Sequence, residues 1–225
     1  MLFRSDLQEA DGKLRDTLKY DVLIVDEKNA RVRTVTGLEG KLTLSAVGAS
    51  EAAPEVVSYQ VSDTIDVIPG HYELRVSALS AKLAKGGSVY LNIDVPDFHA
   101  APIVIGGLSV GYADGAHVPV APKAGPPALP FPPSLDRAFT AGDTLSVYFE
   151  ASAHVPGARP MPTVEVLDKD GRVVRSPSPS FASGDPIHVS ASVPLTGLAP
   201  GAYVLRATMG EGAAKATRET GFVIR

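Results

Sequence analysis

Ile68-Pro69-Gly70-His71-Tyr72-Glu73-Leu74-Arg75-Val76 returns near the other end of the chain as Ala199-Pro200-Gly201-Ala202-Tyr203-Val204-Leu205-Arg206-Ala207, with Pro, Gly, Tyr, Leu and Arg at one spacing. Proline fixes φ and glycine supplies permissive backbone, so each copy opens on a turn. Tyr, Leu and Val or Ala then alternate onto one face of a strand, and Arg points to the other. A tyrosine just past a turn, opening a late strand, is the arrangement of the tyrosine corner in immunoglobulin-like sandwiches, where its hydroxyl bonds back to upstream backbone. Gly70, Tyr72, Gly201 and Tyr203 are therefore the expected structural corner residues. One more strand follows each copy, Ser88 to Val95 and Thr217 to Ile224. The repeat predicts two sandwiches in tandem.

Outward from these stretches, period-2 alternation recurs along the chain. In Val89-Tyr90-Leu91-Asn92-Ile93-Asp94-Val95 the odd positions are apolar, as one core-facing side of a strand requires. Leu145, Val147, Phe149 and Ala151 repeat the pattern, as do Ile187, Val189, Ala191 and Val193, whose intervening His188, Ser190 and Ser192 face water. Only Asp6 to Leu18 has helical spacing, through Leu7, Ala10 and Leu14. Glycine at 21 and proline at 19 residues favour many turns over long helices. Glu27-Lys28-Asn29 and Asp168-Lys169-Asp170-Gly171 each mark a hairpin. The fold class is all-β, with two tandem immunoglobulin-like or fibronectin III-like β-sandwiches. The first spans residues 1–98 and the second residues 99–225. Their boundary lies in Pro96-Asp97-Phe98-His99-Ala100-Ala101-Pro102, whose prolines block ladder continuation.

Residues 113–134 form a proline-rich loop in the second domain. Pro119, Pro122, Pro126, Pro127, Pro130, Pro132 and Pro133, with Lys123 the one charge between Val118 and Pro133, exclude a central strand. The segment is read as a polyproline-like excursion within the second sandwich, or as a spacer isolating the strand Ile103 to Tyr112. A ligand for a proline-reading groove is its functional alternative.

Charge and composition exclude several functions. Lys and Arg number 21 against 25 Asp and Glu, and the net charge of −4 leaves no cationic excess for phosphates, so no nucleic-acid partner is expected. Without cysteine there are no disulfides, thiol nucleophiles or cysteine metal sites. Pro186 to Leu205, the longest stretch without charge, is interrupted by Pro194, Gly197, Pro200 and Gly201, so no membrane span is expected. The first residues carry no signal-peptide core. Leu2-Phe3-Arg4-Ser5 matches what a common sequencing-adapter end encodes in one frame, so residues 1–5 are read as artefactual and the missing signal as truncation.

Candidate chemistry is sparse. Gly107-Leu108-Ser109-Val110-Gly111 matches the Gly-x-Ser-x-Gly elbow of hydrolases, but the helix that must follow is replaced by Tyr112-Ala113-Asp114-Gly115 and the prolines. Asp168-Lys169-Asp170-Gly171 lacks the remaining ligand positions of a calcium loop, since residue 166 is Val and residue 177 is Pro. Asp63 with Asp66, and Asp94 with Asp97, are acidic strand ends expected to be solvated rather than to hold calcium. His71, His99, His117, His154 and His188 show no ligand spacing and are expected at the surface. Tyr90 and Tyr148 alternate outward and are the best stacking faces for a sugar, although tryptophan is absent. No catalytic, cofactor or metal residue is assigned, and the chain is expected not to be an enzyme.

Tyr59-Gln60-Val61, Ile65 to Val76, Gly87-Ser88-Val89-Tyr90 and Ile93-Asp94-Val95-Pro96-Asp97-Phe98 together resemble the region after the A domain in bacterial von Willebrand factor A-related domain proteins, best known from Acidobacteria. The likeness runs on through Leu108, the prolines, Phe139-Thr140-Ala141-Gly142-Asp143-Thr144-Leu145 and Pro200 to Arg206, covering about residues 19 to 225. It implies a secreted or cell-envelope protein in which this chain is a non-catalytic structural or interaction module, accessory to an upstream A-type domain or another protein partner. The A domain's Asp-x-Ser-x-Ser metal motif occurs nowhere in the sequence, so metal-dependent adhesion is not carried over. A carbohydrate-binding accessory module is the alternative, and a hydrolase built on Ser109 stands behind it.

Overall fold

The computed structural model describes residues 2–4, 13–26, 32–45, 56–58, 60, 64–81, 84–115, 129–155, 160–212 and 214–225. These residues are all-β, with no helix among them. They fall into two compact units, one ending at Val95 and the other beginning at Pro96, so the division lies three residues ahead of the expected 98/99 boundary. Most of the proline-rich segment, and the turn expected at Glu27-Lys28-Asn29, lie outside the described residues.

The first unit contains β1 (Leu2–Arg4), β2 (Lys13–Asp26), β3 (Val32–Ser45), β4 (Val56–Ser58), β5 (Gly70–Ser80) and β6 (Lys85–Val95). A four-stranded antiparallel sheet has the order β3-β2-β5-β6, and β1 pairs with β4. Leu2 to Arg4, read from the sequence as foreign, thus take part in a ladder. Lys13 to Leu18 belong to a strand and not to a helix, because the alternation of Leu18, Tyr20, Val22 and Ile24 extends backward through cross-strand pairing of Lys13 with Ser45. The remaining residues of that expected helix lie outside the described set.

Val22, Ile24 and Tyr72 form the buried centre of this unit, with Ile65, Val67, Leu74, Val76, Ile93 and Val95 packed around them. The odd positions of β6 do not all reach it. Val89 is 59% exposed and Leu91 58%, because the packing by Ile65 and Val67 is confined to the cluster around Tyr72. Alternation specified the face but not how far along the strand that face is covered.

The second unit contains β7 (Ile103–Ile105), β8 (Ser109–Tyr112), β9 (Ala138–Phe139), β10 (Thr144–Ala153), β11 (Pro162–Leu167), β12 (Val173–Arg175), β13 (Ser180–Ala182), β14 (Ile187–Pro194), β15 (Gly201–Glu211) and β16 (Ala214–Ile224). One sheet runs β13-β14-β10, with β7 and β8 sharing the far edge of β10; the other runs β12-β11-β15-β16-β9. Side chains of both sheets form a single core, including Leu145, Val147 and Phe149 of β10, Val189 and Val193 of β14, Val164 and Val166 of β11, and Leu205 and Ala207 of β15. The strand expected from Ile103 to Tyr112 is split at Gly106-Gly107. Both halves pair with β10, so it is not isolated from the unit. After the proline-rich segment, β9 joins the opposite sheet alongside β16, and the Tyr112 hydroxyl donates to the Ala138 carbonyl at 2.7 Å.

Candidate functional site

The two copies of the repeat place their tyrosines alike. Tyr72 Oη donates to the Ile68 carbonyl at 2.7 Å and Tyr203 Oη to the Ala199 carbonyl at 2.8 Å, four residues upstream in each case. Their glycines differ. A Cβ on Gly70 would stand 3.2 Å from Tyr72 Oη, whereas one on Gly201 would meet nothing within 4 Å. Gly70 lets its own tyrosine ring lie against the backbone, and Tyr203 stacks instead on Phe222, with ring centroids 5.6 Å apart.

Ser109 lies inside β8, paired with Tyr148 of β10, and not on a strand-to-helix turn. Gly111 has a packing reason of its own: a Cβ there would fall 2.6 Å from both the Phe131 ring and the Pro132 carbonyl, where Pro133 bridges to it. The Gly-x-Ser-x-Gly match is thus explained at its second glycine by backbone crowding.

The two tyrosines singled out as stacking faces have different environments. Tyr90 is 65% exposed, with the Arg75 guanidinium over its ring at 5.5 Å. Tyr148 is only 9% exposed: its hydroxyl donates to Glu150 at 2.9 Å and lies 2.7 Å from His188 Nδ1, and its ring stacks on that imidazole. Burial first, then the bond to Glu150 and the charge of its carboxylate, push the Tyr148 phenol up to about 12. Tyr148 points outward as its alternation requires, but its neighbours cover it, and it offers no open stacking face.

The acidic turn is self-contained. Asp168 Oδ1 accepts from the backbone of Asp170 and Arg172, each at 2.9 Å, at a hairpin where Gly171 has φ +76°. The bond from Arg172 is the main cause holding the Asp168 carboxyl below its ordinary range. Asp94 pairs with His71 across β5 and β6, and Asp97 accepts from the His99 amide at 2.8 Å. Asp63 and His117 lie outside the described residues.

His99 and His154, which showed no ligand spacing, converge at one end of β10 with Asp185, a residue the sequence did not single out. His154 follows that strand, and its amide donates to Pro102 at 2.7 Å, fixing the segment that carries His99. The two imidazoles stack with centroids 5.4 Å apart. Fully buried Ser152 donates to Asp185 Oδ1 at 2.8 Å and lies 2.9 Å from His154 Nε2, while Asp185 Oδ2 is 3.8 Å from the same nitrogen. A serine, a histidine and an aspartate meet here without forming a nucleophilic triad. The carboxylate sits on the hydroxyl and on the ring nitrogen facing it, not behind the ring, and Ser152 is closed to solvent. Residues so far apart in sequence carry no local signature; only the register of β10 against β7 and β14 unites them. No protein-family model and no curated protein matches the chain.

Proposed function

We propose that the chain is a non-catalytic structural and interaction module of two tandem immunoglobulin-like sandwiches, accessory to an upstream von Willebrand A-type domain in a secreted or cell-envelope protein. The strand orders support this reading. β3-β2-β5-β6 and β12-β11-β15-β16 share the C′-C-F-G order of such sandwiches, each with its repeat tyrosine near the start of strand F, and β13-β14-β10-β7 matches D-E-B-A in the second unit.

One observation carries the interaction role. Leu205 and Ala207 of the second unit are fully buried beneath the opposing sheet, whereas Leu74 and Val76, at the same places in the repeat, are only half-buried. Beside them Val89 and Leu91 are exposed. No counterpart of the four-stranded D-E-B-A path occurs among the described residues of the first unit. A contiguous apolar strip on a sheet face marks an interaction surface. It lies in the unit nearer the start of the chain, and the occupant we assign to it is the polypeptide upstream. The carbohydrate alternative retains Tyr90 alone.

Sequencing the gene upstream of Asp6 tests the assignment: an A domain in the same frame is expected, and an intact start codon with its own ribosome site and no A domain would overturn it. The recombinant upstream region should bind the chain, and Val89→Asp with Leu91→Asp should weaken that binding at least tenfold. Glycan binding lost on Tyr90→Ala would put the alternative in its place.

A further inference from the structure

We propose that His99, His154 and Asp185 form a binding site for one divalent transition-metal ion of the zinc class, independent of the apolar face in the first unit. The three side chains are exposed, and each offers a ligand atom, all lying within 4.8 Å of one another. Tetrahedral zinc with bonds of about 2.0–2.1 Å holds its ligand atoms roughly 3.3 Å apart. His154 Nε2 and Asp185 Oδ2, at 3.8 Å, are within a small side-chain rotation of that spacing.

The surroundings prepare the site. Ser152 has one hydroxyl hydrogen, which goes to Asp185 Oδ1 and leaves Oδ2 directed toward His154. Hydrogen bonding of a ligating carboxylate through its other oxygen is the usual outer support of a metal centre. With the Ser152 hydrogen committed, His154 Nε2 carries the ring N–H and donates it to the Ser152 oxygen; ligation of zinc moves the ring proton to Nδ1, which presents the Nε2 lone pair to the ion. His99 is carried on a turn in which Asp97 accepts from the backbone of both His99 and Ala100, at 2.8 and 3.2 Å. The Pro102 carbonyl then anchors that segment to His154. Two of the three ligands are thus tied to each other through backbone before any ion arrives, which lowers the ordering cost of binding.

The donor set selects the ion. Two imidazoles and one carboxylate suit zinc, cobalt, nickel or copper, whereas calcium and magnesium require oxygen-rich sites. Three protein ligands leave a fourth position for water or for a donor from a partner, and exposure of all three side chains keeps that position accessible.

Isothermal titration of the full chain with zinc chloride should give one ion per chain, and calcium chloride should give no heat of binding. Zinc should also raise the melting temperature, since an ion that binds only the folded state stabilises it. His99→Ala, His154→Ala and Asp185→Asn should each weaken zinc at least tenfold, and circular dichroism should establish that each variant keeps the all-β spectrum. His71→Ala, which removes the separate His71–Asp94 pair, should leave zinc binding unchanged. Cobalt substituted for zinc should give the visible bands of a four-coordinate ion. Absence of stoichiometric zinc binding would overturn the site, as would binding that survives all three ligand substitutions or disappears with His71→Ala.

Discussion

Ser80 donates its hydroxyl to Asp16 Oδ2 at 2.6 Å, joining two buried polar residues from β5 and β2. The other oxygen of that carboxylate accepts from the Thr17 amide at 2.7 Å. A hydrogen bond to a carboxylate contributes more than one between neutral groups, and the Ser80→Ala change removes that bond from a buried position. Ser80→Ala is therefore expected to destabilise the first unit by about 1–3 kcal/mol. Urea denaturation of the variant measures it, and a loss below about 0.5 kcal/mol, the range of ordinary surface changes, would remove the bond from the account.

The tyrosine corners predict a graded series. Tyr203→Phe keeps the ring on Phe222 and removes the bond to Ala199, so it should cost about 1 kcal/mol. Tyr203→Ala and Tyr72→Ala also remove a buried aromatic and should each cost roughly 3 kcal/mol in their own unit. Denaturant midpoints of the single variants check this, and Tyr203→Phe as costly as Tyr203→Ala would assign the whole effect to the hydroxyl.

The fold was legible where side-chain alternation and backbone chemistry agree. Leu145, Val147, Phe149 and Ala151 alternate into the core of the second unit, and the repeated Pro-Gly-x-Tyr stretch opens equivalent strands in both units. Alternation failed where tertiary cover decides exposure. It is satisfied at Val89 and Leu91, which are open, and at Tyr148, which is outward yet covered by cross-strand neighbours. The cluster of His99, His154 and Asp185 was illegible because each residue comes from a different loop or strand end, and the sheet register that joins them has no sequence spacing of its own.

Tyr148 gives the protein a stability change in alkali. Its phenol ionises near pH 10 in an unfolded chain and about 12 when folded, so the fold favours the neutral form. That contribution is fully present below pH 10 and is lost as pH rises through 12. Tyr112 is raised in the same direction, by burial and then by the Asp136 and Asp143 carboxylates, so there too the fold favours the neutral phenol. Ultraviolet titration should show a tyrosine ionising late, near pH 12, and Tyr148→Phe should remove it and flatten the alkaline fall in stability. An unaltered titration curve in Tyr148→Phe would contradict the assignment.

Alanine substitutions at three glycines separate a backbone requirement from a catalytic motif. Gly210 has φ +82°, and a Cβ there would lie 2.1 Å from the Ala214 carbonyl and 2.3 Å from Ile103 Cδ1, so Gly210→Ala combines a disfavoured backbone with a clash. Gly111→Ala meets the Phe131 ring and the Pro132 carbonyl at 2.6 Å; the ring can rotate, but the carbonyl belongs to backbone bridged at Pro133. Gly107→Ala meets nothing within 4 Å. Overpacking costs typically about 1–3 kcal/mol, so Gly111→Ala should fall in that range, Gly210→Ala at or above its upper end, and Gly107→Ala within about 0.5 kcal/mol of the parent. Thermal and urea unfolding of the three variants give the order directly. A nucleophile elbow at Ser109 makes the opposite demand, since both flanking glycines would be needed for ester hydrolysis whatever their effect on stability. Hydrolysis abolished by Gly107→Ala and Ser109→Ala in stably folded protein would therefore put the hydrolase reading of Ser109 in place of the non-catalytic one.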